Sequence, residues 1–256
     1  MKKILVTLLF VSTAAIINAQ EFKIGLGGGI YSTWLVNKNV SDQGPDVDFA
    51  STFGGQVGLN LQYYFKDNFG INMGLLITGH NQKYTGKFDN GDKYESKANI
   101  RYLDVPVLLR AGGGAKGAYF EFGPQFSFLM TGKEAFTSTP ANSVSNDLLG
   151  KNDYKDFNIK DDLKSSVISG VIGFGVDIDA SEDIIIVTGL RLGYSFTDVT
   201  KEYTEAEALA LYLTDKLSYL SVISHTDRDS KFDYHANNRA FGGLFLSVIY
   251  KISSGK

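Results

Sequence analysis

Apolar and polar residues alternate along eight stretches of this chain, each 13 to 16 residues long. Strands of water-soluble proteins usually have about 5–6 residues, whereas a tilted strand that crosses a membrane needs about 9–11. The length of these stretches therefore favours membrane-spanning strands. The predicted strands cover residues 22–34, 52–65, 69–84, 98–111, 118–132, 166–179, 184–196 and 240–252.

The connections between these strands alternate strictly between short and long. Such sorting is typical of membrane barrels, which have short turns on the periplasmic side and long loops outside. We therefore predict an all-β fold, an eight-stranded antiparallel up-and-down transmembrane β-barrel with both ends of the chain on the periplasmic side. The tight turns are predicted at residues 66–68, 112–117 and 180–183, and the long loops at 35–51, 85–97, 133–165 and 197–239.

One parity of each predicted strand is apolar, and the other is polar or glycine. In the fifth strand, Phe122 and Phe126 alternate with Glu121 and Gln125. Apolar residues facing outward and polar residues facing inward are typical of a membrane barrel, and small residues suit its crowded interior. The opposite orientation would give a soluble, lipocalin-like carrier of a small apolar ligand.

Aromatic residues on the apolar parity cluster at both ends of the predicted strands. Amphipathic rings prefer the two interfaces of a bilayer, so two such belts favour the membrane orientation over the soluble one. The predicted interface aromatics are Phe22, Trp34, Phe53, Phe65, Phe69, Phe120, Phe128, Tyr194, Phe196 and Tyr250.

Three places depart from the regular strand pattern. Pro106 lacks a backbone N–H, which predicts a bulge in the fourth strand, and Phe241 is out of phase unless Gly242 and Gly243 form a second bulge. In the last loop, a capping-box spacing and leucines at helical intervals predict a helix over residues 205–220. That helix either packs on the barrel rim or binds a partner or the membrane interface.

The first residues of the chain have the features of a secretory signal peptide. Lys2 and Lys3 precede an apolar run that is too short for a good membrane-spanning helix, and Ala19 offers a cleavage point. We predict a signal peptide over residues 1–19, a barrel domain over residues 20–256, and an outer-membrane location. The absence of cysteine excludes disulfides and cysteine-based metal sites, and a net charge of −3 implies no nucleic-acid partner.

Four segments resemble the PorT-like outer-membrane β-barrel family. They are the glycine-rich residues 23–29, the sequence RYLDVPVLLR at residues 101–110, the aromatic residues 119–128 with an internal Gly-Pro, and the closing residues 242–252. The Tyr-Leu-acid-Val-Pro sequence followed by a Gly-Pro strand is the more specific part of this likeness. The resemblance implies an outer-membrane barrel, and one branch of the family is linked to a protein-secretion apparatus.

Several charged residues fall on the inward parity of the predicted strands. Because buried charges must be paired, we predict a structural network of ion pairs in the lumen. An ion-conducting pore is the alternative, but an eight-stranded interior is just wide enough to be filled by side chains. The predicted lumen network comprises Asp104, Arg110, Glu121, Asp177, Arg191 and Lys251.

Candidate chemistry elsewhere in the chain is weak. A lipid-modifying enzyme would need a histidine beside a serine and a carboxylate, and His80, His225 and His235 are the histidines available. The acidic groups at residues 42–48 and 89–92 do not have the spacing of a calcium loop. We therefore predict no catalytic residue, no metal site and no cofactor.

The functional prediction is a non-enzymatic, monomeric barrel surrounded by outer-membrane lipid. Function on rigid scaffolds usually resides in loops, so residues 133–165 and 197–239 are predicted to contact a protein partner or a surface. A lipid-modifying enzyme that uses the loop histidines and a soluble carrier of a small apolar ligand are the alternatives.

Overall fold

The computed structural model describes residues 21–66, 68–88, 91–113, 117–139, 153–214 and 216–254. The predicted signal peptide, residues 1–19, lies outside these ranges, as do Asp89 and Asn90 of the second acidic group. The strands in chain order are β1 (Glu21–Val36), β2 (Val47–Ala50), β3 (Phe53–Lys66), β4 (Phe69–Gly79), β5 (Gln82–Lys87), β6 (Lys93–Gly112), β7 (Gly117–Thr139), β8 (Tyr154–Asn158), β9 (Ser166–Asp179), β10 (Ile184–Ser195) and β11 (Asn238–Ser254).

Eight of these strands form a closed antiparallel ring in the order β1, β3, β4, β6, β7, β9, β10, β11. The first and last strands close the ring, because β1 pairs with β3 on one side and with β11 on the other. Closure satisfies the backbone hydrogen bonds of every barrel strand, which a hydrocarbon environment requires. The predicted eight-stranded antiparallel barrel is confirmed.

Side chains alternate between the two faces of the barrel wall as the sequence pattern predicts. On β1, Leu26 is 65% exposed, whereas the inward-facing Lys23 is fully buried. On the paired strand β11, Leu244 is 67% exposed and the inward-facing Ser247 is buried. The interior is so crowded that a Cβ at Gly27 would lie 2.0 Å from the Ser247 hydroxyl. The apolar face of the barrel therefore points outward.

Short strands extend the barrel wall beyond its loop end. The predicted third strand, residues 69–84, is interrupted at His80 and Asn81, and β5 continues it along residues 93–98 of β6. In turn, β2 pairs with β5, and β8 pairs with the last part of β7. The loops that were predicted as long and polar are therefore partly folded as sheet extensions.

Neither predicted bulge lies where the sequence places it: the one in the fourth predicted strand is displaced, and the one at Gly242 and Gly243 is not formed. The pairing of β6 with β7 shifts register between Arg101 and Tyr102, while Pro106 pairs in register with Gln125. The pairing of β11 with β1 and β10 continues without a shift through Phe241. Phe241 simply points inward, where its ring packs against Tyr31.

Within the described residues, the loops contain three α-helices, α1 (Lys38–Asp42), α2 (Glu205–Leu213) and α3 (Tyr219–His225). The predicted single helix over residues 205–220 is wrong, because α2 ends at Leu213 and Ser218 caps a new helix by accepting a hydrogen bond from Ser221 N. The predicted capping box of Thr204 and Glu207 is present at the start of α2. Among the described residues, no helix is both long and apolar enough to cross a membrane.

Candidate functional site: a filled lumen and a folded cap

Four of the predicted lumen residues form one buried ionic cluster near the turn end of the barrel. Arg110 lies 2.5 Å from the Asp177 carboxylate and 3.5 Å from the Glu121 carboxylate, and Arg191 lies 2.6 Å from Glu121. Asn72 donates a further hydrogen bond of 2.9 Å to Glu121. Two cations balance two anions, so the cluster is neutral as a whole, as buried charges require.

The other two predicted lumen residues lie outside this cluster. Asp104 is 2.8 Å from His80 Nε2, nearer the loop end, and both residues are buried. Lys251 is partly exposed and lies 3.8 Å from Asp179 at the turn end. Parity correctly places these side chains on the inner face, but it contains no information about which inward residues meet.

Arg239 is a lumen residue that the sequence pattern places at the end of a loop. Its guanidinium is fully buried and donates hydrogen bonds to Ser127 Oγ at 2.7 Å and Ser169 Oγ at 3.3 Å. The guanidinium also lies 4.9 Å from the centre of the Tyr102 ring. Arg239 shares the inward parity of β11 with Phe241, and this parity could have predicted from the sequence that Arg239 faces the lumen.

An apolar layer separates the ionic cluster from the polar groups around Arg239. The layer consists of Tyr31, Leu108, Val171 and Phe241, all buried, which come from strands on different sides of the ring and pack together. Nearer the turn end, Asn60 of β3 and Ser247 of β11 meet at 3.1 Å over Gly27 of the intervening strand β1. Side chains therefore fill the interior, as the width of an eight-stranded barrel permits.

We expect the barrel to be silent in planar bilayers. The ionic cluster near the turn end and the apolar layer on its loop side block a continuous aqueous path. Insertion of the refolded protein should therefore give no discrete current steps. Folding of the added protein is checked independently by the difference in gel mobility between unheated and boiled samples. Stepwise openings that persist with fully heat-modifiable protein would contradict the closed lumen.

The predicted interface aromatics lie on the outer face of the wall at both ends of the barrel. Phe53 and Phe196 are 67% and 72% exposed, and none of the ten is buried. On β7, the outward apolar positions end at Met130, and the next outward residues, such as Lys133, are polar. The part of β7 beyond Met130 therefore lies outside the apolar belt.

The last long loop folds over the loop end of the barrel. Residues 197–214 and 216–237, here called the cap, contain α3, in which all seven residues are buried. Leu220 and Ile223 of α3 share one apolar core with wall residues such as Tyr102 and Phe136. Asn39 of α1 donates hydrogen bonds to the cap carbonyls of Ser224 at 3.2 Å and Asp233 at 2.8 Å.

Two buried carboxylates hold the beginning of α3. The Glu134 carboxylate accepts hydrogen bonds from Tyr219 N at 2.9 Å and Leu220 N at 3.0 Å, and from the hydroxyls of Ser96 and Tyr154. Asp162 accepts from the backbone N–H and the hydroxyl of Ser218. Burial raises the pKa of Glu134 and of Asp162, which these donated hydrogen bonds partly offset. Neither contact was predicted from the sequence.

Hydrogen bonds or ion pairs within the fold hold each of the three histidine side chains. His225 Nδ1 donates to Ser221 O at 2.7 Å, and His225 Nε2 accepts from Tyr203 N at 2.9 Å. Because Nε2 accepts this hydrogen bond, the ring is neutral with its proton on Nδ1, and burial lowers the pKa of His225 in the same direction. Within the described residues, no hydrogen bond joins His225 or His235 to a serine hydroxyl, and His80 is buried against Asp104. The geometry of a nucleophilic triad is not assembled around any of them.

The described part of the first acidic group does not converge on one point. Asp42 pairs with Lys38 at 2.8 Å, Asp48 accepts a hydrogen bond from Phe49 N, and Asp46 contributes only its backbone carbonyl to Tyr94. Across the described ranges, no group of three or more histidine and acidic side chains is arranged to hold a metal ion.

The sequence matches the family model described as outer membrane protein beta-barrel domain over residues 18–201. Among solved structures, outer membrane protein W of Escherichia coli is 16% identical, with 92% of this chain and 99% of that chain covered and a TM-score of 0.40. OprG of Pseudomonas aeruginosa is 14% identical (92% and 97% covered, TM-score 0.36), and Ail of Yersinia pestis is 10% identical (91% and 99%, TM-score 0.34). No curated protein matches the sequence.

Proposed function

Because this chain belongs to the outer membrane protein beta-barrel domain family, we propose that it is a non-enzymatic outer-membrane protein that binds a protein partner through its cap. The barrel lies in the outer membrane, with its apolar outer face toward lipid. The PorT-like branch, and with it a link to protein secretion, stays a prediction based on sequence resemblance.

The observation that carries the proposal is the shared core of cap and barrel wall. Loops that served as a mobile gate would have few buried contacts, whereas α3 is buried along its whole length. A cap that is fixed in this way presents a defined surface on the outer side of the membrane, and a preformed surface binds a partner at lower entropic cost. The lumen, by contrast, is filled by paired charges and apolar side chains.

We expect a photoreactive residue at Lys231 to cross-link a partner on intact cells. Lys231 is 73% exposed in the cap, and Glu182 in the opposite turn is an exposed control site. A discrete adduct from position 231, absent from position 182, is the predicted result. Deleting residues 200–233 should abolish partner binding but leave barrel assembly intact, since ring closure uses none of them.

Two results would contradict the proposal. One is the lack of any adduct from cap positions, and the other is an identical adduct from both ends of the barrel. Failure of the deletion variant to assemble, seen as loss of heat-modifiable gel mobility, would mean that the cap serves the barrel fold itself.

A further inference from the structure

Three exposed apolar side chains lie away from the membrane-facing belt. Among the large apolar residues that the described ranges leave exposed, all but three lie on the eight barrel strands or one residue beyond a strand end. The exceptions all belong to the cap: Leu209 is 55% exposed, Leu213 is 72% exposed and Phe232 is 38% exposed. Because the belt already accounts for contact with lipid, these three residues indicate another apolar contact.

Leu209 and Phe232 both line a groove of about 330 Å³ on the cap. This volume is at the lower end of the range of ligand pockets, about 300–1,000 Å³. One wall is α2, the floor is buried, and the other wall is a short hairpin. Besides Leu209 on α2 and Phe232 on the hairpin of residues 226–232, the lining includes Glu205 on α2 and the buried Leu217, Val222 and His225 in the floor.

Both walls of the groove are fixed by local hydrogen bonds. The capping box of Thr204 and Glu207 holds the start of α2. In the hairpin, Asp227 N donates to Lys231 O at 2.9 Å, and Lys231 N donates to the Asp227 carboxylate at 2.7 Å. The groove is therefore formed before any partner arrives, which reduces the entropic cost of binding.

The groove and its surroundings carry a net negative charge. Glu205 lines one end, is exposed, and has no ion pair among the described residues. Residues 197–237 contain eight acidic and four basic residues, so the surroundings of the groove also favour a cationic group. An apolar slot with a free carboxylate at its end is complementary to a large apolar side chain next to a lysine or arginine.

We propose that this groove binds a protein segment that inserts one large apolar side chain between Leu209 and Phe232 and places a lysine or arginine against Glu205. The inference rests on the proposed function and names the partner's chemistry. A flat lipid surface does not fill a concave groove, and α2 (Glu205–Leu213) contains no Lys or Arg, in contrast to helices that lie on membranes. A second copy of this chain and the lipid surface remain as outcomes of the test.

The test selects peptides from a random phage-displayed library on the full-length protein in lipid nanodiscs. We expect enrichment of sequences in which Leu, Ile, Phe, Tyr or Trp lies within two positions of Lys or Arg. One enriched peptide is then synthesised for titration. Leu209→Ser and Phe232→Ser should each weaken its binding about tenfold to hundredfold, the effect of losing one buried apolar side chain. Glu205→Gln should weaken binding severalfold and reduce its dependence on salt.

Matched controls lie beside each tested residue. Leu213→Ser removes an exposed leucine from the same helix but outside the groove, and Glu202→Gln removes a nearby exposed carboxylate that does not line it. Both variants should bind the peptide as the parent protein does. Protection of the cap from protease, measured in parallel, identifies any variant that loses binding by unfolding.

Several outcomes would overturn the proposal. Enriched peptides without the apolar and basic pair, or binding that Leu209→Ser leaves unchanged, would exclude this occupant. A nanodisc dimer that Leu209→Ser dissociates would identify a second copy, and quenching of a Leu213→Trp variant by brominated lipid would identify the membrane. If the Lys231 adduct persists in Leu209→Ser, the cap still binds a partner and only the groove assignment fails.

Discussion

Glu121→Gln is expected to destabilise the barrel by about 3–5 kcal/mol, the usual cost of removing one partner from a buried ion pair. The carboxylate lies between Arg110 at 3.5 Å and Arg191 at 2.6 Å and is itself fully buried. Its loss leaves two guanidinium groups with one carboxylate, Asp177. The measurement is urea unfolding of the refolded protein, followed by fluorescence of Trp34, the only tryptophan.

Restoring neutrality should recover much of the loss. Arg191→Met combined with Glu121→Gln leaves Arg110 paired with Asp177, so the double variant should be more stable than the sum of the two single changes implies. Asp42→Asn is the control, since the Lys38–Asp42 pair is more than half exposed on both sides and is screened by solvent, so its loss should change the stability little. Equal effects for Glu121→Gln and Asp42→Asn would show that the cluster does not stabilise the barrel.

The contacts that could be predicted from the sequence follow from strand periodicity and turn position. Arg110 and Glu121 flank the turn predicted at residues 112–117 on the inward parity, and they pair directly in the ladder between β6 and β7. Period-two alternation also predicts which side chains face lipid, because a strand directs successive residues to opposite faces. These arguments hold wherever a contact is local or is fixed by an adjacent hairpin.

Contacts across the lumen and within the cap could not be predicted in this way. Arg191 reaches Glu121 across β9, and Glu134 reaches Tyr219, 85 residues later. Parity specifies the face of the wall on which a side chain lies. Which inward-facing side chains contact each other depends on the tilt of the strands and the closure of the whole ring. The helix prediction failed for a related reason. Leu217 and Leu220 are both buried in the core shared with the wall, but Leu217 precedes the Ser218 cap and Leu220 lies in the separate helix that starts there.

Glu134→Leu is expected to release the cap while leaving the barrel assembled. The change removes the acceptor of Leu220 N and the nearer acceptor of Tyr219 N, which keeps only the Tyr154 hydroxyl at 3.4 Å. Each unsatisfied donor costs about 1–3 kcal/mol, so opening of the cap should become easier by about 2–6 kcal/mol. Hydrogen exchange at residues 219 and 220 and protease cleavage within residues 201–236 should accelerate at least about tenfold, with heat-modifiable gel mobility unchanged.

A graded series separates the carboxylate from the bulk of the side chain. Each carboxylate oxygen of Glu134 accepts from one backbone N–H and one hydroxyl, so Glu134→Gln keeps one backbone acceptor and should lose about half as much as Glu134→Leu. Ser96→Ala removes only a hydroxyl donor and should cost about 0.5–1.5 kcal/mol. If exchange at residues 219 and 220 stays as slow in Glu134→Leu as in the parent protein, packing alone holds α3, and the carboxylate adds nothing to a cap that its apolar core already fixes.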